Sequence, residues 1–269
     1  MRIMCLAKVM PAETEQQRSK RRQQRTLFDG VAQLYDASRP GYPAEIVDFL
    51  AATAEVGPGS AVLEVGCGTG QLTRDLARIG LDLTAIDIGP AMIATARRAL
   101  ADAPVSLQAC SFEDFAAADS SFDLIVSATA FHWIDPEVRF SKAARLLRPG
   151  GWLALLATAE LYDDPLNAVL REMWVARSED KAWSARKAPA DADAIRASGL
   201  FDEPVHRSAQ RRTTVPAETV IGVENTRATT LSWPADIREA FTAELRSQLA
   251  PGAQVSVTLA AALTMARVR

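Results

Sequence analysis

The chain has 269 residues, 48% of them apolar, and a formal net charge of −3, so it is long enough for a large core and carries no global basic field to attract nucleic acid. Its three cysteines, Cys5, Cys67 and Cys110, are scattered and odd in number, which argues against a disulfide framework and for a reducing, cytoplasmic compartment. No Cys/His group has zinc-ligand spacing, so no metal is expected, and no run approaches the ~20 apolar residues of a membrane span.

The first ten residues, MRIMCLAKVM, are apolar but interrupted by Arg2 and Lys8, and the basic cluster R-S-K-R-R-Q-Q-R at 18–25 follows them. That is the wrong order for a secretory signal. The cluster reads either as a basic arm for nucleic acid or as a solvated, frayed segment, and residues 1–26 are expected to be a flexible extension. Residues 27–43, L-F-D-G-V-A-Q-L-Y-D-A-S-R-P-G-Y-P, read as a surface helix ending at Arg39 before a Pro-Gly turn.

The stretch AVLEVGCGTGQLTRDLARIG, residues 61–80, predicts a buried strand that meets Glu64, breaks into the turn Gly66-Cys67-Gly68-Thr69-Gly70, and enters a helix. Glycines let a ligand approach the backbone, and a helix start offers unpaired N–H groups. The pattern is G-x-G-x-G, with Gln71 where a dinucleotide fingerprint needs its third glycine, and no phosphate-loop G-x-x-x-x-G-K-[ST] is present. Cys67 reads as a small filler of the loop.

Residues 81–100 predict a second strand ending at Asp87, then a helix that Pro90 can begin. An acid at that strand end can accept hydrogen bonds from two ribose hydroxyls, or can simply cap the helix. Val105 to Ala109 predicts a third strand, followed by Ser111-Phe112-Glu113-Asp114, and Phe122 to Ser127 predicts a fourth, apolar and buried on both faces. Beyond it, F-H-W-I brings two aromatics and His132, one of two histidines, to one strand end. His132 reads as a general base or as a structural group bonded to a carbonyl. A helix is predicted from Pro136 to Leu147, a turn at Arg148-Pro149-Gly150-Gly151, and a fifth strand from Gly151 to Thr158.

Farther on, helices are predicted over 165–177, 190–198, 216–227 and 234–249, and strands over 205–215 and 255–267. Trp174, Trp183 and Trp233 read as pocket walls or as core.

The run E-V-G-C-G-T-G, Asp87 placed 23 residues after Glu64 (87 − 64), and the landmark L-L-R-P-G-G-W together resemble the class I S-adenosylmethionine-dependent methyltransferases. Residues 27–43 are similar to the Y-D-x-x-R-P-x-Y-P signature of one bacterial, small-molecule branch. The resemblance implies a Rossmann-like α/β fold: a seven-stranded, mostly parallel sheet, its last strand antiparallel, with helices on both faces and a helical cap. It implies S-adenosylmethionine as cofactor, with Glu64, Gly66, Cys67, Gly68, Gly70 and Gln71 around its methionine part and Asp87 on the ribose. Ile88, Met92, Ser111, Phe112 and Glu113 would also bind the cofactor, whose adenine edge Glu113, Asp114 or the Phe112 N–H would read, since Ser111 stands where relatives often carry Asp. Tyr35 and Arg39 would fold over the pocket, Arg39 pairing with the methionine carboxylate, and Ser127 and the residues after it would line the methyl-transfer pocket.

The expected organisation is an extension over 1–26, a cofactor-binding core over 27–158, and cap helices with the last two strands over 159–269. The expected activity is methyl transfer to a small-molecule acceptor, with His132 as base, by a monomer or homodimer with no nucleic-acid or membrane partner. The alternatives are a cofactor-binding scaffold without turnover and a nicotinamide-dependent oxidoreductase.

Overall fold

A computed structural model describes residues 15–177 and 191–269. Trp183 lies outside the described residues. The N-terminal part holds helices α1 (Glu15–Thr26), α2 (Ala32–Ser38) and α3 (Ala44–Ala54), with a 3-10 turn over Asp29–Val31. Then come β1 (Ala61–Val65), α4 (Gln71–Ala77), β2 (Asp82–Asp87), α5 (Pro90–Ala99), β3 (Val105–Ala109) and β4 (Phe122–Ala128). A second 3-10 turn, Phe131–Trp133, leads to α6 (Arg139–Leu146) and β5 (Leu147–Tyr162). The rest is α7 (Leu166–Arg177), α8 (Asp191–Ser198), β6 (Val205–Pro216), α9 (Ala217–Asn225), α10 (Ala228–Ser232), α11 (Ala235–Gln248) and β7 (Gln254–Arg267).

The seven strands form one sheet in the order β3-β2-β1-β4-β5-β7-β6. Pairs among β1 to β5 are parallel, and β7 runs antiparallel to both β5 and β6. The sheet is therefore mostly parallel with one reversed strand, as the resemblance implies. The chain leaves β1 in one direction for β2 and β3, and then returns to place β4 on the other side. That reversal opens a crevice at the carboxyl ends of β1 and β4, where α/β sheets bind ligands.

Burial follows the period-two alternation of strands. Val62, Leu83, Leu124 and Val126 pack with α3 and α4 residues such as Leu50 and Leu76 on one face. Leu63, Val65, Ile86 and Ile125 pack on the other face with Phe131, Phe140 and Leu146. A third cluster lies past the main sheet. β4 stops pairing with β5 at Ala128↔Leu156, whereas β5 continues against β7 to Tyr162↔Val257. On this projecting arm Tyr162, Val257 and Leu259 pack with Leu170 and Trp174 of α7, Ile221 of α9 and Phe241 of α11. Trp174 and Trp233 belong to this cluster, with ring centroids 5.0 Å apart.

Several expected boundaries move. Residues 15–26 are helical, and Arg21 donates 2.9 Å to the Trp133 carbonyl; this stretch is docked rather than solvated and frayed. The sixth helix begins at Arg139 instead of Pro136, because Asp135 first closes a turn, accepting from Glu137 N through Oδ1 and from Val138 N through its carbonyl. The fifth strand runs over Leu147–Tyr162 rather than 151–158, since β7 pairs along the whole of its far end. The short α10 was not expected from the sequence.

Helices α2 and α9 approach closely at Gly222, where an added Cβ would lie 1.9 Å from Ser38 Oγ and 2.7 Å from Ser38 Cβ. Gly222→Ala would gain about 1 kcal/mol of helix propensity. The overlap reaches Cβ, so no rotamer of Ser38 relieves it, and overpacking of this kind costs about 1–3 kcal/mol. Urea unfolding of Gly222→Ala is therefore expected to show a net loss of stability, and Ser38→Gly in the same background should recover part of it.

Candidate active site

β1 delivers its carboxyl end to the crevice through two backbone bonds: Gly66 N and Cys67 N both donate to Ile86 O, at 2.8 and 3.0 Å. Gly66 has φ +75°, and an added Cβ would lie 2.2 Å from Ala130 Cβ. Glycine is needed here on both counts, and the close approach fastens the glycine turn to the turn after β4. Cys67 is buried against Ala85 and Ile93, the filler expected of it.

Asp87 ends β2 beside this loop. Its Oδ2 accepts from Gly68 N at 2.9 Å and its Oδ1 from Gly89 N at 2.8 Å. The carboxylate thus joins the glycine turn to the start of α5 and keeps lone pairs for a ligand. Burial raises its pKa, and the two N–H donors oppose the rise.

A cavity of ≈ 340 Å³ opens above these strand ends. Of the residues expected at a cofactor, it brings together Tyr35, Arg39, Gly66, Gly68, Gln71, Asp87, Ile88, Met92, Ser111, Phe112 and Glu113, and the expected base His132 also lines it. Glu64, Cys67, Gly70 and Ser127 are not in its wall. Ser127 is buried, and its hydroxyl donates 2.7 Å to Val65 O, which ties β4 to β1. His132 is exposed, with its ring 4.7 Å from that of Trp133.

Glu64 sits directly beneath the glycine turn and is 1% exposed. Its Oε2 and the nearby Thr73 Oγ1 have no hydrogen-bond partner among the described residues. Burial, chiefly, raises the Glu64 carboxyl to about 8; the Asp87 charge adds to the rise and Thr73 opposes it.

Residues that the sequence did not assign to the site complete its surroundings. Arg25 of α1 donates 2.8 Å to Glu113 Oε1, which also accepts from Asp135 N at 3.2 Å. Lys142 of α6 donates to the carbonyls of Glu113 and Phe115, at 2.9 and 2.6 Å, and so clamps the loop after β3. Tyr42 lines the cavity, and its hydroxyl has no hydrogen-bond partner among the described residues.

A chain of buried charge closes the far side. Arg39 donates through Nε and Nη2 to Thr226 Oγ1 and O, at 3.0 and 2.9 Å, and through Nη1 to Glu160 Oε1 at 3.3 Å. Arg227 donates to Glu160 Oε2 at 3.1 Å and to both oxygens of Glu224 at 2.7 Å. Tyr162 and Trp174 donate to Glu224 as well, at 3.3 and 3.2 Å. Arg39, which the resemblance pairs with the cofactor's carboxylate, here donates three of its five N–H groups to Thr226 and Glu160, because β5 carries Glu160 past the main sheet into reach. Burial alone would lower the Arg227 pKa, and Glu224 and Glu160 outweigh it and hold it above the ordinary value.

Two measurements test these electrostatics. Between the ordinary carboxyl range and about 8, the folded chain holds the Glu64 proton and the unfolded chain does not. Folding then takes up a proton, and stability falls with rising pH by about 1.4 kcal/mol per unit from this group. Glu64→Gln should remove that slope, so its urea-unfolding free energy should gain on the wild type from pH 5 to pH 8; parallel profiles would refute the assignment. Glu224→Ala should cost about 3–5 kcal/mol in the same assay, because it strands a buried guanidinium.

Residues 63–155 match the methyltransferase domain family. An uncharacterized methyltransferase of Mycobacterium tuberculosis is 38% identical over 136 residues, which are 51% of this chain and 54% of that protein. The ubiquinone biosynthesis O-methyltransferase of Xanthomonas campestris is 36% identical over 130 residues, covering 45% of this chain and 54% of that one. The chain thus spans about half the length of the curated relatives it matches. In fold it is similar to a candidate type II methyltransferase from Anaeromyxobacter dehalogenans, with a TM-score of 0.63 at 24% identity over 85% of this chain and 97% of the other. No helix among the described residues is long and apolar enough to cross a membrane. Residues 63–155, which hold the glycine turn and the acid ending β2, are thus the part of the chain that is similar to a methyltransferase domain.

Proposed function

We propose that the whole protein transfers a methyl group from S-adenosylmethionine to a small-molecule acceptor. The observation that carries this is geometric: the glycine turn, Asp87 and the turn holding His132 all face one cavity, and Gly66 touches Ala130. The residues present suit the cofactor. Asp87 keeps acceptor capacity for ribose hydroxyls, Ser111, Phe112, Glu113, Ile88 and Met92 surround the space for the base, and the backbone at Gly66 and Gly68 is bare toward the methionine part. When bound, S-adenosylmethionine supplies an electrophilic methyl group on a sulfonium.

The protein's task is then to align the acceptor and exclude water. The acceptor lies on the β4–β5 side, between Thr129, His132, Trp133, Thr158 and Leu259. His132 accepts the proton of an O–H or N–H nucleophile as the new bond forms. Likeness to an enzyme named as an O-methyltransferase supports an oxygen nucleophile. Helices α7, α9 and α11, packed on the projecting arm, act as the cap that shapes this side. Residues 27–158 form the cofactor core, 159–269 supply the cap and last strands, and the protein works in the cytoplasm as a monomer or homodimer.

Calorimetric titration with S-adenosylhomocysteine, with NAD as control, tests the cofactor. Micromolar binding of the first and none of the second is expected. Asp87→Asn should weaken binding of S-adenosylhomocysteine about tenfold through the lost charge-assisted bonds. Binding of NAD alone, or of neither ligand, would overturn the reading. His132→Ala should lower turnover on any acceptor found while leaving S-adenosylhomocysteine affinity unchanged.

A further inference from the structure

We infer that Tyr42, rather than Arg39, reads the carboxylate of the cofactor's methionine part; this rests on the cofactor reading above. Tyr42 lines the cavity together with Gly66, Gly68 and Gln71, on the side of the glycine turn. It is held rigidly there. Pro40 and Pro43 bracket it, and its ring packs against the core cluster of Ile46, Leu50 and Leu72. The segment that carries it is anchored at its start by Arg39 bonding to Thr226 and Glu160.

Those same bonds, and the acid they bring beside it, count against Arg39 as the reader. Its Nε, Nη1 and Nη2 each donate to a protein acceptor, three of its five N–H groups, and the Glu160 carboxylate beside it, 5% exposed in its side chain, would repel a second carboxylate brought to the two that remain. Arg227 lies deeper in the same network, bonded to Glu160 and Glu224. Tyr42 is different: the residue lines the cavity, and its hydroxyl bonds to no described residue. Burial, with Tyr35 and Glu64 adding, holds its pKa well above the ordinary phenol value. The group therefore keeps its proton across the working range and offers an O–H donor, the polarity that a carboxylate requires.

The test compares S-adenosylmethionine with decarboxylated S-adenosylmethionine, which lacks only that carboxylate. The wild type should bind S-adenosylmethionine more tightly. Tyr42→Phe should weaken S-adenosylmethionine about tenfold, the value of one hydrogen bond to a charged group, and leave the decarboxylated compound unchanged. Its thermal midpoint should match the wild type, because the hydroxyl has no protein partner to lose. Arg39→Met, examined alongside, should leave the preference between the two ligands in place even where it lowers stability. Equal loss on both ligands in Tyr42→Phe would mean that the ring only packs, and no loss would mean that the hydroxyl reads nothing. Collapse of the preference in Arg39→Met but not in Tyr42→Phe would return the carboxylate to Arg39. Equal wild-type affinity for the two ligands would overturn this inference alone, whereas a wild type that binds neither would overturn the cofactor reading itself.

Discussion

Glu160, held between two guanidiniums, is the interaction on which the cavity depends. It sits on the part of β5 that outruns β4, where the sheet no longer supplies a neighbour on that side. Arg39 reaches it from the end of α2, and Arg227 from the junction of α9 and α10. Glu224 completes the row, so that two positive and two negative charges alternate and sum to zero. An isolated charge at such depth would be prohibitively costly, and removing any one member exposes that cost. The row is therefore a geometric constraint more than a source of net stability. It fixes where the 39–43 segment crosses the cavity and how the C-terminal helices approach it.

The opposite wall is made by different physics. β1 and β4 are neighbours in a parallel sheet, so both carboxyl ends arrive at one edge. The Gly66–Ala130 approach and the Ser127–Val65 bond lock the two ends together. A ligand seated on the glycine turn is thereby placed against the turn that carries His132. One wall is set by backbone contact and the other by ion pairs, and the longest span is in the second, 121 residues for Arg39–Glu160 against 62 for Ser127–Val65.

That difference explains what the sequence made legible. β1, the glycine turn, α4 and β2 form a local unit whose apolar runs, glycines and terminal acid lie within 30 residues of one another, and each was read correctly from spacing. Asp87 was identified as a strand-end acceptor, and its bonds to Gly68 and Gly89 fit that placement. The protein partners of Arg39 were not legible, since Glu160 and Thr226 are 121 and 187 residues away. Arg25 with Glu113 and Lys142 with the β3 loop are also long-range pairs, with no periodicity to announce them. The far end of β5 was missed for a related reason: LLATAELY continues an alternation, but only the pairing with β7 shows that the strand persists. The resemblance supplied the strand count and the reversed last strand, which local patterns do not specify.

Charge balance inside the cavity bears on how the chemistry is run. Arg25 faces Glu113, and Arg39 and Arg227 face Glu160 and Glu224, so the guanidiniums of the wall are already matched with carboxylates. Glu64 holds its proton up to about 8, and the buried phenols of Tyr42 and Tyr162 hold theirs higher still. The enclosed part of the site thus offers hydrogen-bond donors and fixed dipoles rather than a poised acid–base pair. A reaction whose electrophile is already activated needs little more than that, because alignment and exclusion of water supply most of the barrier reduction. The proposed base, His132, stands instead at the rim, exposed beside Trp133. The geometry thus separates a rigid interior, ordered by the ion-pair row and the Gly66 contact, from an open edge that carries an exposed imidazole.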